Sequence, residues 1–450
     1  MSAAASVPMM VRLPAWRARL AVALLLAAFL VLAARSVYLQ SMRTGFLQEK
    51  GEARYSRVLE VPATRGRILD RNGDALAIST PVKSVWAIPE DVKASAAQMK
   101  SLASLMQLEP RELARKLADA DREFVYLKRQ IPPETAARVA GLGIPGIHQQ
   151  NEYRRYYPGG ETMAQVIGFT GVDDVGQEGI ELAHQPLLAG AAGSRRVIKD
   201  RLGQIVEDVE SIRAAQDGRD LTLALDSKIQ NLAFGALKAA VEAHRAKAGA
   251  IVVLDVRSGE ILALANLPTY NPNNRARLNG AQLRNRVMTD NFEPGSTLKP
   301  FTVGLAMELG KITPQTLIQT SPGSLTIANY TIHDAHAEKS GAGMTVAQVI
   351  QKSSNVGAAK IALMLPREGM HAMFRRAGFG AAPRLGFPGE AAGRLREAKT
   401  WRPIEQATMA YGHGISVSLI QLAREHGVGA RRRARAAVAG QDRRAGGRRS

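Results

Sequence analysis

Phe292-Glu293-Pro294-Gly295-Ser296-Thr297-Leu298-Lys299-Pro300 places a serine and a lysine three positions apart, directly behind a Pro-Gly pair. The Pro-Gly step makes a tight turn, and the residues after it read as a helix. Ser296 then sits at a helix N-terminus, with Lys299 one turn along on the same face. The partial positive charge of a helix start favours an alkoxide and an adjacent oxyanion. Lys299 can serve as a base only when neutral, which requires burial to lower its pKa. A lone S-x-x-K arises about once by chance in a chain of this length at average composition. A Ser N-cap followed by a surface Lys fits this element equally well. Downstream, Ser353-Ser354-Asn355 adds an S-x-N tripeptide. Ser353 is suited to pass a proton between Lys299 and a leaving amine, and Asn355 to hold an amide through its donor and acceptor.

The flanking sequence frames these two elements as part of a mixed domain. Leu221 to Leu225 reads as a strand, and Asp226 as the cap of the helix that follows. On that helix Ile229, Leu232, Ala233, Ala236, Leu237, Ala240 and Val241 form one apolar face. Gly249 to Asp255 and Glu260 to Asn266 read as an antiparallel hairpin, and helical stretches dominate from Lys299 to Arg424. Further upstream, residues 61–215 mix short strands, turns and helices. Arg71-Asn72-Gly73-Asp74 marks a turn there, and Lys100 to Leu117 and Pro133 to Leu142 carry helical spacing. Residues 43–60 read as a polar stalk. Leu20 to Ala34 is an uncharged run bounded by Arg19 and Arg35, and Ser36 to Leu39 extend it towards the roughly 20 residues that span a bilayer. Trp16 and Tyr38 stand as interfacial anchors, and Arg12, Arg17 and Arg19 favour a cytoplasmic N-terminus. A cleaved signal peptide is disfavoured because no clear A-x-A site follows.

At 450 residues the chain is long enough for two or more domains. It contains no cysteine, which excludes disulfides and thiolate metal sites. The net charge of +20 does not mark a nucleic-acid binder. Residues 431–450 alone hold eight Arg against one Asp, and the remaining excess is scattered without an aromatic-studded basic stripe. His333-Asp334-Ala335-His336 offers too few ligands for a metal site and reads as a loop histidine pair.

S-x-x-K, an S-x-N triplet and K-T-G are the set shared by penicillin-binding proteins and class A β-lactamases. The chain resembles the class B penicillin-binding proteins of the septal, FtsI-like type. The segment from Asn285-Arg286 through Thr289-Asp290-Asn291-Phe292 to Phe301-Thr302 is similar to the surroundings of their catalytic serine. Gln351 to Gly357 is similar to their second motif, and Leu267 to Asn273 to the stretch leading into the first. Arg65 to Gly73, Arg154 to Gly160 and Gly176 to Glu181 resemble the boxes of their N-terminal pedestal, and Trp401 to Arg424 also matches.

The resemblance implies an α+β protein. It would consist of a cytoplasmic N-terminus (1–19), a single transmembrane helix (20–39), an elongated mixed pedestal (40–215) and an incomplete β-lactamase-like transpeptidase domain (216–424). It further implies a D,D-transpeptidase with Ser296, Lys299, Ser353 and Asn355 as catalytic residues and no cofactor or metal. Implied partners are peptidoglycan stem peptides, β-lactams, the bacterial inner membrane, division-complex membrane proteins and a septal glycosyltransferase. The main domains would then be periplasmic.

The chain also departs from the pattern. No K-T/S-G follows Asn355, and Lys339-Ser340-Gly341 precedes it in a Gly-rich loop and is read as a decoy. The family's five-stranded sheet would be left with two strands, and acylation impaired. Residues 425–450, dominated by Arg, Ala and Gly beyond Gly429, read as a disordered or out-of-frame tail. A catalytically silent divisome scaffold and an elongation-type transpeptidase remain the alternatives.

Overall fold

The computed structural model describes residues 15–41, 56–119, 122, 124–199, 205–336, 341 and 343–428. They fall into two compact units, Met1–Val61 with Ala192–Ala215, and Pro62–Ala191 with Gln216–Ser450. In the first unit, helix α1 (Ala15–Ser41) contains the whole apolar run. Ala and Leu dominate it and neither Gly nor Pro interrupts it, so helix is the favoured state. Apolar residues occupy every side of the helix, and its length and hydropathy suffice to cross a membrane. Strands β1 (Ser56–Val61), β6 (Gly193–Lys199) and β7 (Ile205–Arg213) of this unit form an antiparallel sheet in the order β1-β6-β7. Most of the expected stalk, Lys339 and Ser340, and the tail from residue 429 lie outside the described residues.

The second unit begins with β2 (Ile68–Leu69), which turns back on the long strand β3 (Ala75–Ala87). The predicted turn is closed by Asp70, whose Oδ1 accepts from the amides of Asn72 (2.8 Å) and Asp74 (2.9 Å). Gly73 supplies the positive φ of +93° that the turn requires. β3 pairs antiparallel with β4 (Val125–Ile131) and β5 (Ile147–Tyr156), and β2 pairs in parallel with β8 (Leu221–Thr222). Helices α2 (Ala96–Leu105), α3 (Pro110–Leu117) and α4 (Pro133–Ala140) share a core with this sheet around Val85, Leu102, Leu113, Leu127 and Val139. The helical spacing from Lys100 to Leu117 therefore resolves into two helices. Pro110 cannot continue the first but suits the first turn of the second.

The three pedestal boxes converge on one buried ion triad. Glu181 accepts from Arg65 Nε at 2.6 Å and from Arg155 Nε at 2.7 Å, with all three side chains almost wholly buried. The remaining guanidinium donors go largely to carbonyls, including Arg155 to Gly66 (2.7 Å) and Arg65 to Glu181 (3.0 Å). Gly66 admits no side chain, since a Cβ there would lie 2.0 Å from the carbonyl oxygen of Arg219.

Beyond β8, Asp226 caps helix α5 (Ser227–Ala243) by accepting from the amides of Lys228 and Ile229, as its position in the sequence predicts. The buried side of α5 differs from the expected face. Gln230, Ala233, Phe234 and Leu237 are buried, whereas Leu232 is 75% exposed. Gln230 causes the rotation. Its amide donates to Thr162 O (2.6 Å) and Leu264 O (2.9 Å), and its Oε1 accepts from Leu264 N (2.7 Å). A side chain so fully satisfied is stable inside, and it pins the helix one step around. β9 (Gly249–Leu254) and β10 (Ile261–Leu267) form the expected antiparallel hairpin and, among the described residues, a two-stranded sheet. One core runs from Ile68, Val166 and Ile180 to Leu225, Leu264, Met288 and Ile420, so Pro62–Ala191 and the later residues share a hydrophobic interior. The architecture is α+β.

Replacing Glu181 by Ala strands two buried guanidinium groups, and denaturant unfolding should show a loss of about 3–5 kcal/mol. Asp220→Ala, at the solvent-exposed pair with Arg67, should change the same midpoint far less.

Candidate active site

Gly295, at φ +61°, turns the chain into a short 3-10 segment, Gly295–Leu298, that runs into helix α6 (Lys299–Glu308). The expected α-helical start at Ser296 is thus a tighter turn, in which residues three apart eclipse one another. This aligns Ser296 with Lys299 along one side. Thr297 Oγ1 closes the turn by donating to Pro294 O at 2.6 Å. Ser296 is exposed, and among the described residues its hydroxyl has no hydrogen-bond partner.

Residues 411–426 brace this turn from behind. Gly412 lies so close to Gly295 that a Cβ would come within 2.2 Å of its carbonyl oxygen. Glu293 accepts from Gly414 N at 2.8 Å and meets His413 Nδ1 at 3.0 Å. Asn291–Phe292 pairs antiparallel with Val417–Ser418. From helix α9 (Leu419–Val428), His426 Nε2 reaches Thr297 O at 3.0 Å. The helix continues past Glu425, where the tail was expected to begin. Glu425 itself is 6% exposed, wedged against Gly378, and burial pushes its carboxyl up to about 7 despite the nearby Arg424.

Lys299 is 1% exposed. Its Nζ donates to Ser353 O (2.6 Å), Ser353 Oγ (2.9 Å) and Asn355 Oδ1 (2.9 Å). All three acceptors are neutral. Burial lowers the lysine pKa to about 8, with Asp334 acting in the opposite direction. Ser353 holds its place at φ +55°, in the turn between helix α7 (Val346–Gln351) and helix α8 (Asn355–Leu363). Ser354 caps α8 by accepting from Gly357 N at 2.9 Å. Asn355 Nδ2 donates to His333 O at 3.1 Å.

The structure therefore brings Lys299, Ser353 and Asn355 into direct contact and leaves Ser296 as the free hydroxyl on the adjoining turn. Sequence reasoning missed Asp334. Its Oδ2 accepts from Ser354 Oγ (2.7 Å) and its Oδ1 from Val356 N (2.9 Å). A short loop acid between two histidines carries no local signal of that contact. Among the described residues no group of three or more His, Cys, Asp or Glu side chains is placed to hold a metal. An exposed serine hydroxyl one turn along the chain from a buried amine of lowered basicity supplies the parts of an activated nucleophile.

Residues 249–426 match the penicillin-binding protein transpeptidase domain, and residues 60–223 the penicillin-binding protein dimerisation domain. The chain belongs to the penicillin-binding protein family. Its similarity is to class B members. It is 44% identical over 402 residues to the probable peptidoglycan D,D-transpeptidase PenA of Neisseria gonorrhoeae, spanning 88% of this chain and 68% of that one. It is 39% identical over 415 residues to the peptidoglycan D,D-transpeptidase FtsI of Escherichia coli K12, spanning 91% and 70%. Among solved structures, a peptidoglycan synthetase from Bifidobacterium adolescentis superposes with a TM-score of 0.64 at 26% identity, covering 83% of this chain and 73% of that one. Penicillin binding protein 3 from Mycobacterium tuberculosis, complexed with aztreonam, gives 0.61 at 26% identity, covering 82% and 64%.

The buried carboxyl of this penicillin-binding protein makes a signed prediction. The folded state holds the Glu425 proton up to about pH 7, whereas an unfolded Glu releases it near 4.3. The destabilisation is absent at low pH and complete above the folded value, where it amounts to roughly 4 kcal/mol. Glu425→Gln should therefore raise stability by that order at pH 8 and by almost nothing near pH 4, as read by denaturant midpoints at the two pH values.

Proposed function

We propose that this penicillin-binding protein is a serine D,D-transpeptidase that cross-links septal peptidoglycan, with Ser296, Lys299, Ser353 and Asn355 as its catalytic residues. The observation that carries the reading is the burial of Lys299 against neutral oxygens alone. With a pKa of about 8, roughly a quarter of the molecules hold a neutral amine at pH 7.5. The three contacts describe the ammonium form. When Lys299 loses a proton, Ser353 can reverse its hydroxyl and donate to the vacated lone pair. A proton path between the lysine and a departing amine is then in place.

In the reaction, Ser296 Oγ attacks the carbonyl carbon of the D-Ala–D-Ala bond while its proton passes to Lys299 Nζ. The C–N bond breaks, and the terminal D-alanine leaves as an amine after taking that proton through Ser353. Asn355 holds the substrate amide. An amine from a neighbouring stem peptide then attacks the Ser296 ester, forms the new amide and returns the serine hydroxyl. β-Lactams acylate the same oxygen. The PenA and FtsI relatives and the aztreonam complex support this chemistry. We place residues 1–19 in the cytoplasm, 20–39 in the inner membrane, and the pedestal (40–215) and transpeptidase (216–424) segments outside it. Division-complex membrane proteins and a septal glycosyltransferase are the expected partners there.

Incubating the purified polypeptide with a fluorescent penicillin should give an adduct on the peptide containing Ser296, and none in Ser296→Ala. An adduct on another residue would defeat the assignment. No adduct after prolonged incubation would leave the silent-scaffold reading, in which the anchor and pedestal still reach the septum.

A further inference from the structure

We propose that Asp334 is a positioning residue of this site, clamping the Ser353–Asn355 turn to the start of α8 and supplying a carboxylate counter-charge to the buried Lys299. The inference rests on the reading of Lys299 as the base. Ser353, which makes two of the three Lys299 contacts, sits at φ +55°. A non-glycine residue holds that conformation only when its surroundings impose it. The segment His333–Asp334 imposes it from one side. The His333 carbonyl takes the Asn355 amide, and the two Asp334 oxygens take the Ser354 hydroxyl and the Val356 amide.

The placement also satisfies electrostatics. Lys299 touches only neutral acceptors, so the buried ammonium draws its counter-charge from farther away. Asp334 stands at the N-terminus of α8, where a carboxylate is favoured by the helix dipole. It is also the group that opposes the effect of burial on Lys299. The other titratable side chains on the elements that meet here are Tyr330, His333 and His336 on the segment of Asp334, Lys352 at the end of α7, Lys360 on α8 and Glu308 at the far end of α6. A clamp and a charge predict different outcomes. Asp334→Asn keeps the shape and removes the charge. Ser354→Ala keeps the charge and cuts one tether.

The test is competitive acetylation of the full chain from pH 6 to 11, with the midpoint for Lys299 read by peptide mass spectrometry. This readout does not require Ser296 to react. Asp334→Asn should lower the midpoint by about one unit, and Ser354→Ala should leave it in place. The acid limb of β-lactam acylation should move with the midpoint in Asp334→Asn, and in Ser354→Ala the rate should fall without a shift of the limb. An unmoved midpoint in a folded Asp334→Asn overturns the proposal, as does an equal shift in Ser354→Ala. A midpoint that moves in Asp334→Asn, together with a wild-type Ser296 that never acylates, would overturn the transpeptidase reading and keep this inference.

Discussion

A single buried ammonium sets the terms for the transpeptidase domain of this protein. Lys299 is enclosed by the turn that carries Ser296 and the tripeptide Ser353–Asn355, and its three donors are taken by neutral oxygens. Burying a charge without a carboxylate partner is costly, and that cost is what brings its proton within reach of neutral pH. The enclosure depends on accurate placement of two turns that are far apart in sequence. Glu293, Gly412 and His426 brace the first, while His333 and Asp334 brace the second.

A comparable arrangement with the opposite electrostatic solution organises the pedestal. Arg65, Arg155 and Glu181 also sit away from water, but there every charge has a partner of opposite sign and the spare donors meet carbonyls. Two guanidinium groups sharing one carboxylate make the triad a joint between three distant segments. Neutral solvation of Lys299 leaves a group able to change protonation. Both sites are polar and buried, and the difference between structure and chemistry lies in whether the counter-charge is in contact.

The transpeptidase sheet leaves one of its strands half-open to solvent. Among the described residues it consists of β9 and β10, with all six residues of β9 half-buried and Leu232 of the neighbouring helix exposed. An edge strand free of charge and proline is an invitation to further pairing. The same helix carries Gln230 inside, so its apolar character is divided between a used face and an unused one.

Local chemistry was readable from the residues themselves. The Asn72-Gly73 turn, the Asp226 cap, the β9–β10 hairpin and the membrane-length helix each depend on neighbours within a few positions, and each is found where the pattern places it. The motif residues were legible for a related reason, since S-x-x-K and S-x-N are short and their order restricts the chemistry. The burial of Gln230 was not legible, because its partners Thr162 and Leu264 belong to other segments. Nor was the role of Asp334, whose hydrogen bonds reach residues 354 and 356 across a loop. The sequence alone determined which groups are available and the local turns that present them. Only the tertiary structure decided which of them lose their water, and desolvation by non-local packing is what separates a surface lysine from a base.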